Sequence, residues 1–128
     1  MATKSQYAVA VVNEINVGAT GTSFTSGATQ SSVFYCGGTC ATGFITPSTW
    51  TTANVSFLVS KLPTGPFVPL TNFDGTPFAI ASVPASSWVP LQPAQFNAIL
   101  YLQIVSSVTQ NALVVDLALS PVFQGLHG

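Results

Sequence analysis

Charge is what this sequence has least of. Of its 128 residues only five are formally charged, Lys4, Glu14, Lys61, Asp74 and Asp116, and arginine is absent; a typical soluble domain is about one quarter charged. A folded chain of 13.2 kDa exposes on the order of 6,400 Å². Five charges over that area give weak repulsion between copies and almost no electrostatic steering, so the exterior is suited to being covered by neighbours. Two lysines cannot supply the cationic contacts that hold a phosphate backbone, which excludes a nucleic-acid partner. The glycines of Gly18-Ala19-Thr20-Gly21 make no phosphate-binding fingerprint, because no helix follows them.

Long apolar runs are also missing. Tyr7 to Val12 meets Asn13 and Glu14, and Ala112 to Val115 meets Asp116, far short of the roughly 18 residues that a membrane span needs. Met1-Ala2-Thr3-Lys4-Ser5-Gln6 leads into no secretory leader, so the reading is a protein made and kept in cytosol, without a membrane partner. Titratable groups are equally scarce. Acid–base catalysis needs a pair of them held close together, and as carboxylates or imidazole the sequence has only Glu14, Asp74, Asp116 and His127. Asp74 is accounted for by a turn, His127 stands next to the end, where chains fray, and Asp116 is expected to face solvent or a hydroxyl. The many serines have no base placed to activate them. The sequence reads as a non-enzyme that uses no cofactor.

Cys36-Gly37-Gly38-Thr39-Cys40 is the one constellation with deliberate spacing. Two cysteines do not make a four-ligand zinc site, and one distant histidine does not complete it. No metal is expected. Two free thiols in a Gly-rich turn between strands is the first reading. A small-loop disulfide formed after release into an oxidising medium is the other.

What the chain does have is an apolar fraction of 48%, enough for one compact core, and nearly a third of its residues as Ser, Thr, Asn or Gln. Such side chains are cheaper to bury at a contact than ions, provided each finds a hydrogen bond. The hydrophobic pattern is that of strands. Across Thr52 to Ser60, Val55, Phe57 and Val59 alternate with Asn54, Ser56 and Ser60, and only Leu58 breaks the polar face. Further strands are expected at Gln6 to Val17, Ser32 to Tyr35, Gly43 to Thr46, Phe67 to Leu70, Phe78 to Ser82, Trp88 to Leu91, Ala98 to Ser106 and Asn111 to Leu119. Gly, Pro, Asn and Ser clusters separate them. The fold class is therefore all-β: a single antiparallel β-sandwich domain over residues 1–128, jelly-roll or discoidin-like, with about eight strands.

Local chemistry refines this picture. Asp74-Gly75, between Phe73 and Phe78, reads as a hairpin turn, with Gly75 supplying a positive φ. Pro63, Pro66 and Pro69 around Gly65 place that stretch at a sheet edge, because proline lacks the ladder N–H. The strands at Ile99 to Val105 and Ala112 to Leu119 are apolar on both faces. They are expected to lie side by side, joined through Ser107 to Asn111, with the second face covered by a neighbouring subunit or a terminal arm; alternatively they are the two central strands of the tighter sheet. Residues 18–32 read as a flexible, low-complexity loop, and residues 1–6 as an extended N-terminal arm. Trp50, Trp88, Tyr7, Tyr35, Tyr101 and the phenylalanines suit a sugar-stacking platform, but core packing is the reading taken. Cys36, Cys40, Trp50, Phe57, Asp74, Gly75 and Trp88 are accordingly assigned structural roles.

The segment Phe44 to Ser60, with its pattern Pro47-x-x-Trp50-Thr51-x-Ala53 leading into Ser56-Phe57, resembles a group of small proteins encoded among the virion genes of tailed bacteriophages. Gly65-Pro66-Phe67-Val68-Pro69-Leu70, Asp74-Gly75-Thr76 and Val89-Pro90-Leu91-Gln92-Pro93-Ala94-Gln95-Phe96 continue the likeness over residues 42 to 122. Ser60-Lys61-Leu62-Pro63-Thr64-Gly65 departs from it, standing where that group often has a Ser-x-Asp-Gly turn. The resemblance implies a virion structural protein, a capsid cement or decoration protein on the capsid surface. Its partners would be the major capsid protein and further copies of itself, with a trimer favoured. Ala2, Thr3, Lys4, Ser5, Gln6 and Phe24 are the candidate partner contacts. The strand pattern also resembles discoidin-like sandwiches, many of which bind carbohydrate through loops at one end. That likeness implies a tail or fibre component as the alternative, and a head-to-tail connector component is a third.

Overall fold

The computed structural model describes residues 21–121. Ten strands and one helical turn follow in order: β1 (Gly21–Phe24), β2 (Ala28–Gln30), β3 (Phe34–Tyr35), β4 (Thr39–Ile45), β5 (Ala53–Ser60), β6 (Val68–Pro69), β7 (Ile80–Val83), β8 (Trp88–Pro90), α1 (Pro93–Phe96), β9 (Tyr101–Gln110) and β10 (Leu113–Pro121). The expected strand at Gln6 to Val17 lies outside the described residues. All ladders are antiparallel. One sheet has the order β1-β10-β4-β8; in the other, β9 lies between β5 and the pair β2 and β3, and β5 pairs in turn with β6 and β7. The fold is an all-β sandwich, with ten strands among the described residues rather than about eight.

Alternation explains how the two sheets face each other. Along β5 the side chains of Ala53, Val55 and Phe57 are buried, and along β9 those of Leu102 and Ile104. Opposite them, Leu113, Val115 and Leu117 of β10 and Phe44 of β4 point inward from the other sheet. Phe57 is the hub: its ring meets Phe44 at 6.1 Å, Phe96 at 5.1 Å and Phe78 at 5.9 Å between centroids. Pro93 opens α1 with a φ already suited to a helix, and the single turn exists to deliver Phe96 into this cluster.

Ile99 to Val105 and Ala112 to Leu119 are not neighbours. β9 is central in one sheet and β10 in the other. Gln110 is the physical reason. Its side chain is buried, accepting from the Thr51 N–H at 2.8 Å and donating to the Thr51 carbonyl at 2.8 Å. It thereby pairs with Thr51 as a strand residue would, and it anchors the end of β9 inside the core. The Asn111 amide donates to the Thr49 carbonyl at 3.2 Å, so the chain turns a corner between sheets there instead of folding back as a hairpin. Each strand is apolar on its core face, and on the second face Tyr101, Gln103 and Val105 of β9 are half-buried whereas Val114 and Asp116 of β10 are exposed.

Residues 18–32 were expected to form a flexible loop. From Gly21 onward the stretch instead supplies β1 and β2. β1 pairs with β10 over Gly21–Phe24, with Thr22 and Phe24 facing the core. A web of hydroxyls then closes the sandwich edge: Thr22 Oγ1 donates to the Ser32 carbonyl at 2.6 Å, and the Ser32 N–H donates to the Ser23 carbonyl at 2.8 Å. The turn expected at Asp74-Gly75 is present, with Gly75 at φ +89° and the Asn72 N–H donating to the Thr76 carbonyl at 2.8 Å. The proline-rich stretch does lie at an edge, where β6 pairs only with β5.

Candidate interaction surface

The residues singled out by sequence separate into three groups. Ala2, Thr3, Lys4, Ser5 and Gln6 lie outside the described residues. Phe24, expected to touch a partner, is instead buried, with its ring set edge-on against Trp50 at 5.7 Å. Inward alternation along β1 put it there. Trp88, expected to be structural, is 59% exposed. β8 forms the edge of its sheet, and across the ladder from Trp88 to Pro90 stands β4, where Gly43 has no side chain to lift the indole off the surface. A Cβ at Gly43 would meet Trp88 ring atoms at 3.4 Å.

Of the other structural assignments, Trp50, Phe57, Cys36 and Cys40 are buried, and Asp74 and Gly75 form an exposed turn. Trp50 is buried and its indole N–H donates to the Val83 carbonyl at 3.0 Å. Cys36 and Cys40 are buried free thiols. The Cys36-Gly37-Gly38-Thr39 turn is closed by the Thr39 N–H and hydroxyl, both donating to the Cys36 carbonyl at 2.7 and 2.6 Å. Burial, reinforced by the nearby Cys40 thiol, pushes the Cys36 thiol up to about 12, and burial raises Cys40 as well. Neither is suited to act as a nucleophile, which requires the thiolate. The Thr76 hydroxyl and the Thr76 amide, both bonded to Asp74 Oδ1, hold the Asp74 carboxyl below the usual carboxylate range. Among the described residues no three His, Cys, Asp or Glu side chains gather where they would hold a metal ion. Among them, too, no helix is long and apolar enough to cross a membrane.

What the fold brings together is an exposed row on the outer face of the four-stranded sheet. Cross-strand pairing aligns Gly21 with Asp116, Asp116 with Ile45, and Ile45 with Trp88. Beside that row stand Val114, 50% exposed, on one side and Pro90 on the other. Among the described residues Asp116 is the sole charge on this face, and it lies two strand spacings, about 10 Å, from Trp88. A second exposed apolar feature is Phe73, 81% exposed at the tip of the turn before Asp74. A third is a pocket of about 360 Å³ beside the β5–β6 connection, lined by Val59, Leu62, Pro66, Val68 and Ile99 with Lys61 at its rim.

Sequence reasoning missed the Trp88 row because both tryptophans carry the same apolar signature. The available signal was Pro84 and Pro90 on either side of Trp88, which mark a short edge strand. No protein-family model, curated protein or solved structure matches this chain.

Proposed function

We propose that the chain is a virion structural protein of a tailed bacteriophage, a cement or decoration subunit that binds the outside of the head shell and stabilises it. The observation that carries this reading is the exposed row of Trp88, Ile45 and Val114 around a single carboxylate. Large apolar side chains left exposed together on one sheet face suit an interaction site. The phage assignment draws on the sequence resemblance, and the sparse charge of the exterior supports a role among other subunits. The mechanism is mass action. A protein that binds the closed shell but not the loosened one shifts the balance toward closure, and many symmetric copies multiply a small free energy per contact. Covering the three half-exposed side chains contributes about 1 kcal/mol each, hence about 3 kcal/mol and roughly a 150-fold gain in affinity per copy.

The test is cosedimentation of the purified protein with shells stripped of it. Trp88→Ser combined with Val114→Asp should lower occupancy more than tenfold while leaving the far-ultraviolet circular dichroism unchanged; undiminished occupancy refutes the assignment of this face. Removing residues 1–6 should likewise weaken attachment if they reach the capsid. A tail component that grips host glycans is a second reading, favoured by the Trp88 indole lying over Gly43 as a flat stacking surface. A glycan array separates the two, because a cement subunit binds none of its sugars.

A further inference from the structure

The turn from Asn72 to Thr76 presents an unusual combination. Phe73 is the most exposed large apolar residue among those described, and the carboxylate next to it, Asp74, is one of three formal charges in the same set. The tip is held rigidly. Asp74 Oδ1 accepts from the Thr76 hydroxyl at 2.6 Å and from its N–H at 3.0 Å, and the Gln95 amide donates to Asn72 Oδ1 at 3.1 Å. Both Thr76 bonds use Oδ1, which leaves Oδ2 to meet a cation. The backbone that carries the Phe73 ring is already ordered by these bonds, so that part of the conformational entropy is lost before any partner arrives.

The pocket beside the β5–β6 connection is the converse. Its walls are the apolar side chains of Val59, Leu62, Pro66, Val68 and Ile99, and its rim carries Lys61, the one lysine or arginine among the described residues. Its volume of about 360 Å³ holds a phenyl ring easily, since a dry cavity of about 150 Å³ already binds benzene. The residues around Phe73 and those around this pocket share no member, and Phe73 stands in solvent, so it does not fill the socket of its own copy.

We infer that Phe73 of one copy seats in the Val59–Ile99 pocket of the next, with Asp74 meeting Lys61 at the rim. The contact joins different patches, so two copies exchange it reciprocally about a two-fold axis or pass it on head-to-tail; head-to-tail contacts close into rings or run on as filaments, and a ring of three fits the trimer that the resemblance implies. The inference rests on the reading of the chain as an assembly subunit, and it names one contact by which copies join each other and not the shell.

Sedimentation velocity of the purified protein tests it. The natural sequence should sediment as an oligomer, and Phe73→Ser should raise the dissociation constant at least about thirtyfold. Lys61→Glu should weaken association by setting two acids against each other, and adding Asp74→Asn, which keeps Oδ1 as the acceptor of both Thr76 bonds, should recover most of that loss. Phe73→Ser retains the socket, and Leu62→Glu, at an exposed loop position, retains the knob. Each alone should be monomeric, and a mixture of the two should give a heterodimer and nothing larger. A solitary natural protein at high concentration, an unchanged Phe73→Ser oligomer, or charge variants that fail to compensate each other overturns the contact. If the protein is solitary yet loads onto shells, this contact fails and the shell reading stands. Where Phe73→Ser dissolves the oligomer but no variant or natural protein binds shells, the reverse holds.

Discussion

Replacing Gln110 by methionine isolates the contribution of one buried amide to the sandwich. The two side chains are similar in bulk, so little cavity forms, but methionine offers neither donor nor acceptor. Three hydrogen bonds are lost: those with the Thr51 N–H and carbonyl, each at 2.8 Å, and the one donated to Ser106 Oγ at 3.0 Å. Gln110 is 2% exposed, so water cannot replace them, and the Thr51 backbone groups are left without their partner. At about 1 kcal/mol for each bond, the expected loss is about 3 kcal/mol. With an unfolding entropy of about 2.1 cal/mol/K per residue, this corresponds to a melting temperature lower by about 10 °C. Calorimetry and urea titration measure both quantities. Asn111→Ala serves as the control: it removes one exposed bond to Thr49 at 3.2 Å and should cost less than about 0.5 kcal/mol. If Gln110→Met costs no more than that control, the amide does not anchor β9, and the account of why β9 and β10 part company is wrong.

Thr46→Val should cost about 2 kcal/mol, because the buried Thr46 Oγ1 donates to the Pro84 carbonyl at 2.7 Å and accepts from the Ser87 N–H at 3.0 Å; Thr46→Ser should recover most of it in the same urea titration. Gly75→Ala, at φ +89° with open space where the Cβ would go, should cost about 1 kcal/mol from backbone conformation alone. The Cys36 thiol has its pKa raised from 9.0 to about 12, so the folded state holds a proton that the unfolded state releases. Stability should therefore be level below about pH 8 and fall as the pH rises through 9 toward 12, by up to about 2 kcal/mol at pH 10.5. Cys36→Ala should flatten that part of the profile relative to the natural sequence; an equal slope in both sinks the assignment.

What could be read from sequence was whatever is decided locally. The alternation of Val55, Phe57 and Val59 defines β5, the pair Asp74-Gly75 defines its turn, and Pro66 and Pro69 confine their stretch to an edge, because each of these depends on a few adjacent residues. The partition of β9 and β10 into different sheets was not legible. A strand central in either sheet carries the same double-faced apolar pattern, and the deciding contact, Gln110 with Thr51, joins residues 59 positions apart. β1 and β2 were missed because Ser, Thr and Gly dominate residues 18–32, and β1 is a strand by virtue of its pairing with β10. The exposed row had the same difficulty. Trp88 pairs across the ladder with Ile45, and its indole leans over Gly43, the partner of Pro90; nothing within β8 encodes those neighbours.

The ladder pattern also bears on how the chain is born. Among β1 to β4 no two strands pair with each other; each waits for β9, β10 or β8. β10 alone bridges β1 to β4, and β9 alone bridges β2 and β3 to β5. Neither sheet can be completed until β9 and β10 have both left the ribosome, so the strands before them cannot close into the sandwich until then. A chain that stops before β9 is left with apolar strands lacking their partners, a substrate for chaperones and proteases and not a smaller version of the domain.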